Sequence, residues 1–491
     1  MPLPSIRKNL AYNFLLSASQ VLLPLVSIPY LSRVLSPEGI GRVSFIDSFT
    51  YYFLFIAEYG IILYGIREVA KKKQDKAARD VLVSELLALH LITSLMATIL
   101  YAIAVYLLWD KIRDIRLLLF SISYLLINSF ACEWYFMGME RFRFITLRSL
   151  ITRLLALGSL FILVKGGDDY WIYYGIMVVA AIVNSLWNNL NLFREVKVSF
   201  RNIDWKKHLK YTHITNGINL AMGVTLLLDN VLLRLVSTAA VVGIYALSAK
   251  ILRMATLLIT DSLQVFYPRI AALKGEGNDD RKQEVMQKNL QFLVFFAVPM
   301  SAGICLLAGP LVRLLFGDGY TEAIPTIRIL SCFPLLRGLS LFFCNQVLIA
   351  HHQEKKAFIS LAIGNLLYIP VMLLLSLQWQ YRGAAASLII GEILVLSLAY
   401  VLASRTFPLL RLFDRKTFFQ SILSASLFIP VFYLLNELRL PDLIVLLISI
   451  PACTFFYFIM QLYVLRNEFA RAILQWVSNS FIKKETGSPS A

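Results

Sequence analysis

The feature that most constrains this chain is a succession of fourteen apolar segments, each long enough for a helix to cross a lipid bilayer. A transmembrane helix needs about 20 predominantly apolar residues. Because 58% of the residues are hydrophobic and only 16% are charged, little of the chain is left for a soluble domain. The sequence predicts an all-α polytopic membrane protein with about 14 transmembrane helices. The predicted spans are residues 9–32, 43–66, 81–108, 116–137, 144–164, 170–193, 211–235, 241–266, 288–312, 323–350, 357–378, 384–404, 417–435 and 442–465.

Basic residues predict the orientation of these spans. With the N-terminus in the cytoplasm, 32 of the 47 Lys and Arg residues fall in cytoplasmic loops and only 10 in the opposite loops. The 32 residues assigned to cytoplasmic loops include Arg148. Because short cytoplasmic loops carry an excess of Lys and Arg, both termini are predicted to be cytoplasmic. The same bias accounts for the net charge of +17, so nucleic acid is not an expected partner.

A weak internal repeat indicates that the chain divides after the sixth span. The segment at 30–45 aligns with that at 231–246, and the alignment matches Arg33 with Arg234, Ser36 with Ser237 and, with one gap, Gly41 with Gly243. Six spans return the chain to its starting side, so the two halves would share one orientation. We predict an N-lobe at 1–200 (spans 1–6), a C-lobe at 201–410 (spans 7–12), two additional helices at 411–466 and a cytoplasmic tail at 467–491.

The loop after span six is open to two interpretations. It contains the sequence FRNIDWKKHLKY at 200–211, in which basic and apolar residues alternate. Such a segment either lies along the membrane surface as a basic amphipathic helix or is a plain linker.

Charged side chains within the spans indicate a polar interior, because each costs about 2.5 to 3.5 kcal/mol at the bilayer centre even on lenient scales. On a helical wheel, Asp47, Tyr51 and Glu58 share one face of span two. Lys250, Arg253 and Asp261 likewise share one face of span eight. Single Asn and Ser side chains more often satisfy one another between packed helices. We therefore infer a partly cationic cavity between the two halves, to which these charged residues contribute: Asp47, Glu58, Glu133, Arg153, Asp229, Lys250, Arg253, Asp261, Arg328, Arg337 and Glu392.

Several motifs of enzymes and motors are absent from the sequence. There is no GxxxxGK[ST] phosphate loop, no HExxH and no GxSxG, and no His, Cys or carboxylate set has metal-site spacing. The five cysteines lie in apolar runs and predict no disulfide framework. No catalytic residue, metal site or cofactor is predicted, and uphill transport would have to use an ion gradient or the membrane potential.

The stretch from the end of span one to the end of span two resembles the N-terminal signature of Wzx-type polysaccharide flippases, which serve O-antigen, capsule and exopolysaccharide synthesis. In that family a Tyr-x-x-Arg-x-Leu-x-Pro-Glu-x-x-Gly pattern follows span one, and an acidic-x-Gly segment leads to Arg-Glu at the end of span two. Ser36 stands where family members often have Gly. The matching residues are Tyr30, Arg33, Leu35, Pro37, Glu38, Gly41, Glu58, Gly60, Arg67 and Glu68.

The resemblance implies the fold of the multidrug/oligosaccharidyl-lipid/polysaccharide exporter superfamily. That fold has two six-helix lobes in a V around a central cavity, here with two extra C-terminal helices. It also implies a location in the bacterial inner membrane and a substrate, an oligosaccharide on undecaprenyl pyrophosphate, moved from the cytoplasmic to the outer leaflet. Under this reading we expect the cavity cations Lys250, Arg253, Arg337 and Arg153 to pair with the pyrophosphate. The candidate acids for a coupling H+ or Na+ are Asp47, Glu58, Asp229, Asp261 and Glu392.

Other functions remain open at this stage. A multidrug or cation antiporter of the same superfamily would require an acid-dominated cavity, and a peptidoglycan-precursor flippase also commonly has fourteen spans. A membrane glycan polymerase or ligase typically carries a large outer loop, whereas no predicted outer loop exceeds about a dozen residues. A scaffold would leave the charges within the spans unexplained. Besides the lipid-linked oligosaccharide, the expected partners are membrane lipids and a polysaccharide polymerase or export machinery.

Overall fold

A computed structural model of the protein describes residues 6–201, 203–264, 279–351, 353–405, 414–472 and 474–475. The regular structure of these residues is helical, and no strand occurs among them. The α-helices are α1 (Ile6–Val34), α2 (Pro37–Glu58), α3 (Ile61–Lys71), α4 (Lys76–Leu107), α5 (Trp109–Ile112), α6 (Ile115–Asn128), α7 (Glu133–Gly138), α8 (Phe142–Leu163), α9 (Tyr170–Glu195), α10 (Lys206–Val236), α11 (Ala239–Gln264), α12 (Asp279–Leu306), α13 (Ala308–Phe316), α14 (Ala323–Leu330), α15 (Phe333–Leu341), α16 (Glu354–Ser404), α17 (Arg415–Ser426), α18 (Phe428–Glu437) and α19 (Asp442–Ile459). Two π-helical segments, Phe342–Leu348 and Met460–Val464, and two 3-10 turns, Asp318–Tyr320 and Ile349–His351, complete the described elements.

Helices occupy all fourteen predicted spans as far as these are described, and twelve helical segments are long and apolar enough to cross a membrane. The 51-residue α16 covers predicted spans eleven and twelve together. At 1.5 Å per residue it would be about 77 Å long, more than twice the thickness of a hydrocarbon core of about 30 Å. The backbone leaves the helical region at Gln380, between the two predicted spans. The prediction of an all-α polytopic membrane protein is confirmed, with fourteen as an approximate count.

Span two is divided, whereas the sequence predicts one continuous span at 43–66. It begins at α2, where the Ser36 hydroxyl accepts a hydrogen bond from the Gly39 amide (3.2 Å) and Pro37 occupies the first helical position. The chain then enters the left-handed region at Tyr59 (φ 45°) and Gly60 (φ 73°), which ends α2 before α3 begins. The apolar sequence continues through this break, so hydrophobicity alone does not reveal it.

The chain separates into two compact units. The first comprises Met1–Ala246 with Ser376–Tyr381, and the second comprises Leu247–Leu375 with Arg382–Ala491. In the first unit, Leu86, Trp134 and Tyr135 are fully buried in a cluster that joins α4 and α7. In the second unit, Phe295 and Tyr457 belong to a buried cluster to which α12, α17, α18 and α19 contribute. The predicted lobe boundary at residue 200 stays a prediction.

The segment between α9 and α10, residues 196–205, is a linker anchored to α4. The Ser199 amide donates a hydrogen bond to the Ser84 hydroxyl (3.0 Å), and the Asp204 amide donates one to the Glu85 carboxylate (3.3 Å). Trp205 packs against the buried cluster of the first unit. Residues 206–211 form the first turns of α10, which begins at Lys206, so the segment at 200–211 is neither a separate helix nor a linker over its whole length. Its position at the membrane surface stays a prediction.

The first turns of α2 and α11 approach to backbone contact. A Cβ atom on Gly41 would lie 1.7 Å from the Ala239 carbonyl oxygen, and one on Gly243 would lie 2.0 Å from the Pro37 carbonyl oxygen. Atoms cannot approach so closely, so this crossing requires residues that have no Cβ. Gly41 and Gly243 are the two glycines that the internal repeat aligns.

Candidate functional site

Two acids of α2 lie near a pair of tyrosines in the first unit. Asp47 and Glu58 are both half-buried and are both within electrostatic range of the Tyr51 and Tyr124 hydroxyls. The rings of Tyr51 and Tyr124 meet edge to face with centroids 6.3 Å apart, and Tyr51 is 36% exposed. The structure therefore brings these acids to one accessible face of the span. Their role in ion coupling stays a prediction.

A second polar cluster joins α7, α8 and α9. The Arg148 guanidinium is buried and donates hydrogen bonds to the Asn188 side chain and, at 2.5 Å, to the Glu133 carboxylate. One turn further along, the Thr152 hydroxyl donates to the Asn184 side-chain oxygen at 3.0 Å. The placement of Arg148 in a cytoplasmic loop is therefore wrong. The sequence does contain a signal of this contact. Arg148 and Thr152 are four residues apart, as are Asn184 and Asn188, so each pair lies on one face of its helix and the two faces can meet.

Arg153, on the same helix, is half-buried and lacks a direct carboxylate contact among the described residues. Its guanidinium donates hydrogen bonds to the Ser19 hydroxyl (2.5 Å) and the Leu16 carbonyl oxygen (3.3 Å), both on α1. These neutral acceptors orient the side chain without neutralising its charge. The role of Arg153 as a substrate-binding cation stays a prediction.

Asp229 is buried in the first unit and forms hydrogen bonds there. Its carboxylate accepts from the Tyr245 hydroxyl (2.6 Å) and from the Asn230 amide (2.9 Å). The Asn230 side chain donates to the Ser48 hydroxyl of α2 (2.9 Å). The Asp229 carboxylate therefore joins α10 to α11, and the neighbouring Asn230 side chain joins α10 to α2. The role of Asp229 in ion coupling stays a prediction.

Arg337 and Glu392 form a buried ion pair within the second unit. The side chain of Arg337 is 8% exposed and that of Glu392 is 0% exposed. Arg337 Nη1 donates a hydrogen bond to Glu392 Oε1 (2.7 Å), and this contact joins α15 to α16. The Ser340 hydroxyl donates to the second carboxylate oxygen at 2.9 Å. The sequence assigned these two residues to different roles, a substrate cation and a coupling acid, and gave no indication that they are partners. Because each neutralises the other, this pair is less suited to either role than the remaining candidates.

We predict that Glu392→Gln destabilises the protein by about 3 kcal/mol or more, because it leaves the Arg337 guanidinium buried beside a neutral amide. Glu284→Gln is the matched control, since Glu284 forms an exposed pair with Lys288 and such pairs contribute about 0–1 kcal/mol. Thermal unfolding in detergent measures both. An unfolding temperature for Glu392→Gln that equals that of the control would contradict a stabilising role for the buried pair.

Span eight places its charged residues in different environments. Lys250 and Arg253 are half-buried, and Asp261 is exposed. Lys250 forms no ion pair with any part of the chain that the structure describes. A half-buried ammonium without a counter-ion is costly unless an anion joins it. The role of Lys250 in binding an anionic substrate stays a prediction.

A buried cluster that the sequence did not single out joins α3, α4 and the beginning of α10. The Glu85 carboxylate, 3% exposed, is bonded to the Lys207 ammonium (2.5 Å) and to His208 Nε2 (3.0 Å). His208 Nδ1 lies 2.8 Å from the Tyr64 hydroxyl. Because Tyr64 and Glu85 each lie more than a hundred positions before Lys207 and His208, spacing gives no signal of their contact. The cluster fixes the end of the linker to the first unit.

Stability is expected to fall as the pH falls through the titration range of His208, which precedes the predicted seventh span. Burial lowers the pKa of His208, and Lys207 and Lys72 add to this effect although Glu85 opposes it. The unfolded chain, with an ordinary histidine pKa of about 6.5, then takes up a proton first, so stability is lost below that pH. Thermal unfolding at pH 7.5 and 5.5 should show a smaller loss for His208→Gln than for the wild type. The exposed His213, replaced likewise, is the control, and equal losses in all three proteins would contradict the prediction.

The residues of the N-terminal motif have structural roles at both ends of span two. The Tyr30 hydroxyl donates to the Val164 carbonyl oxygen (2.6 Å), which ties the end of α1 to the end of α8. Pro37 starts α2, Glu38 pairs with Arg42 (2.7 Å), and Gly41 permits the crossing with α11. Arg33 donates a hydrogen bond to the Pro29 carbonyl oxygen (2.9 Å). Gly60 lies in the break between α2 and α3. The Glu68 carboxylate accepts hydrogen bonds from Arg67 (3.0 Å) and Lys71 (2.9 Å).

Comparison with known proteins gives one family and one fold. A family model described as "Polysaccharide biosynthesis protein" matches residues 6–274. The chain is 26% identical over 411 residues to a protein of Escherichia coli (strain K12) named "Putative O-antigen transporter", covering 80% of this chain and 95% of that protein. It is 24% identical over 408 residues to a protein of the same name from Shigella dysenteriae, covering 79% and 98%.

Two solved structures share the architecture. The chain superimposes on the lipid II flippase MurJ in its inward closed conformation with a TM-score of 0.70 at 15% identity, over 93% of this chain and 99% of that one. It superimposes on an inward-facing multidrug resistance MATE family transporter of the MOP superfamily with a TM-score of 0.63 at 16% identity, over 79% and 94%. At these identities the likeness concerns the fold. With a family model matching more than half of the chain, the resemblance seen in the N-terminal motif is confirmed. The chain belongs to the polysaccharide biosynthesis protein family.

Proposed function

We propose that the protein flips an oligosaccharide carried on undecaprenyl pyrophosphate from the cytoplasmic to the outer leaflet of the bacterial inner membrane, for polysaccharide export. The observation that carries this proposal is the family match over 6–274 together with near full-length similarity to proteins named as O-antigen transporters. The protein acts as a transporter and not as an enzyme. Both termini lie in the cytoplasm, and a polysaccharide polymerase or export machinery receives the product.

The pyrophosphate is the part of the substrate that needs protein charges to cross. Taking an ion out of water into a medium of low dielectric constant is very costly unless it is paired. Lys250 supports this role best, because it is half-buried and unpaired within the described chain, and Arg253 lies on the same helix. Arg153 contributes from α8, where it is bonded only to neutral acceptors. Arg337 is a weaker candidate because Glu392 already neutralises it.

Coupling to an ion gradient requires an acid that can gain and lose a cation during the cycle. Asp47 and Glu58 fit this role because they are half-buried beside Tyr51 and Tyr124. Among the other predicted acids, Asp261 is exposed, Asp229 accepts a hydrogen bond from Tyr245, and Glu392 forms a buried ion pair with Arg337. The coupling ion is H+ or Na+, with the membrane potential as the alternative driving force.

A translocation assay in vesicles tests the function. Purified protein is reconstituted with a labelled polyprenyl-pyrophosphate oligosaccharide, and a membrane-impermeant glycosidase reports how much glycan reaches the outside. We expect the protein to make most of the inner pool accessible, and a proton or sodium ionophore to show which gradient is used. Transport of a cationic dye, or flipping of a peptidoglycan precursor, without movement of this substrate would favour the antiporter or precursor-flippase function. Glycan polymerised in the same vesicles would favour a polymerase or ligase.

A further inference from the structure

A groove of about 450 Å³ lies between α8 and α9, outside the charged cluster described above. Its walls are mostly apolar and include Leu155, Ile176, Val179 and Val183, with Phe120 of α6 also contributing. Leu155 is 64% exposed and Val179 is 50% exposed. Because both helices are predicted spans, these side chains face lipid and not water. The groove is therefore open to the hydrocarbon of the bilayer.

The length of the groove matches the depth of one leaflet. Along α8 it extends from Thr152 to Leu163, which at 1.5 Å per residue is about 17 Å. Half of a hydrocarbon core of about 30 Å is about 15 Å. On the predicted topology the groove spans the outer leaflet.

A cation lies at the end of the groove nearest the membrane surface. The Arg116 guanidinium stacks over the ring of Trp171 at 5.3 Å, and Trp171 itself lines the groove. Tryptophan is enriched at the level of lipid headgroups. The Arg116 side chain is 50% exposed and lies 3.6 Å from the Asp114 carboxylate. Arg116 Nη2 also donates a hydrogen bond to the Tyr170 hydroxyl (3.3 Å), and that hydroxyl donates to the buried Asp114 carboxylate (2.6 Å). The exposed half of the Arg116 side chain is the part that can meet a headgroup.

We propose that this groove binds one acyl chain of an outer-leaflet phospholipid and that Arg116 holds the phosphate of the same lipid. An acyl chain is favoured over the polyprenyl chain of the carrier because the groove is only one leaflet deep. At its inner end lies Thr152, whose hydroxyl is bonded to Asn184. A much longer polyprenyl chain would have to leave the groove there.

The bound lipid would stabilise the contact between α8 and α9. Thr152 is one turn from Arg148, whose guanidinium holds Asn188 of α9 and Glu133. A chain in the groove covers the apolar side of the same two helices. Removing the lipid should therefore lower the stability of the first unit even though no protein contact is removed.

The test measures lipid retention and its effect on stability in the full-length protein. Native mass spectrometry of protein purified in mild detergent should show one retained phospholipid per chain. Ala156→Phe, which fills the groove, should lower the retained fraction at least fivefold, and Arg116→Gln should lower it at least threefold. Leu154→Phe and Arg113→Gln are the matched controls, because Leu154 faces lipid outside the groove and Arg113 is an exposed arginine near the same end. Both controls should retain lipid as the wild type does.

A second measurement keeps the proposal testable if Ala156→Phe does not fold. A phospholipid with a photoreactive group on its acyl chain should crosslink to wild-type peptides from 152–163 and 171–183. Added phosphatidylglycerol should compete for this labelling, whereas polyprenyl phosphate at the same concentration should not. No retained lipid, equal retention in Ala156→Phe and Leu154→Phe, crosslinks confined to other helices, or displacement by polyprenyl phosphate alone would each overturn the proposal.

Discussion

Replacing Lys250 and Arg253 together by glutamine is expected to abolish export of the cell's glycan while the amount of protein in the membrane stays unchanged. Hydrogen bonds to charged groups contribute about 1.5–3 kcal/mol each. Loss of two such contacts to the pyrophosphate would weaken its binding by about 3–6 kcal/mol, or roughly 10² to 10⁴-fold. Lys250 forms no ion pair within the described chain, so we expect its replacement to leave folding unchanged. The amount of the double variant in the membrane is measured alongside export. Surface glycan in a complemented deletion strain and flipping in vesicles measure the effect.

A charge-matched control separates this effect from a general loss of positive charge. Lys197→Gln with Arg201→Gln removes two exposed cations of the linker, which the predicted topology places in the cytoplasm. Export should continue in this double variant. Lys250→Gln alone should lower substrate affinity more than Arg337→Gln does, because Arg337 is already paired with Glu392. Normal export with both Lys250 and Arg253 neutralised would reject their assignment to the substrate site.

The second large effect is expected from a single methyl group at Gly41. In Gly41→Ala the new Cβ would lie 1.7 Å from the Ala239 carbonyl oxygen and 2.8 Å from the Gly243 amide nitrogen, so α2 and α11 would have to separate. Overpacking of cores usually costs about 1–3 kcal/mol. Here the obstacle is backbone and cannot rotate away, so we expect a cost at or above that range. The yield of monodisperse protein and its unfolding temperature in detergent measure the cost.

Gly158→Ala is the control for that experiment. Gly158 lies within α8, and a Cβ there would meet no atom within 4 Å. Replacing an unhindered helical glycine by alanine should be neutral or stabilising by about 0.5–1 kcal/mol. Gly243→Ala should behave like Gly41→Ala, because its Cβ would lie 2.0 Å from the Pro37 carbonyl oxygen. A wild-type unfolding temperature for Gly41→Ala would show that the crossing tolerates separation.

The spans could be predicted from the sequence because the bilayer imposes a length and an apolar composition on every helix that crosses it. The division of span two could not, since Tyr59 and Gly60 change the backbone direction without interrupting the apolar run. The continuity of predicted spans eleven and twelve in α16 could not be predicted either, because only the backbone of Gln380 leaves the helical region between them. Hydrophobicity reports the environment of a segment and not its backbone path.

The site was only partly predictable, for a different reason. A helical wheel identifies which charges share a face, but it does not identify the partner on the next helix. Arg337 and Glu392 are 55 positions apart and neutralise each other. Glu85 and His208 are 123 positions apart and were not singled out at all. Pairing across helices depends on packing distances that the period of a single helix does not contain.

The crossing of α2 and α11 also bears on how such a chain could have arisen. The same offset of 202 residues relates Pro37 to Ala239 and Gly41 to Gly243. Gly41 faces the carbonyl of Ala239, and Gly243 faces the carbonyl of Pro37. The residues that α2 contributes to the contact are therefore the sequence counterparts of those that α11 contributes. This reciprocity is the signature of an isologous interface between two identical subunits. An ancestor of half the length could thus have dimerised through one glycine, and after gene duplication and fusion each copy of that glycine would constrain the evolution of the other.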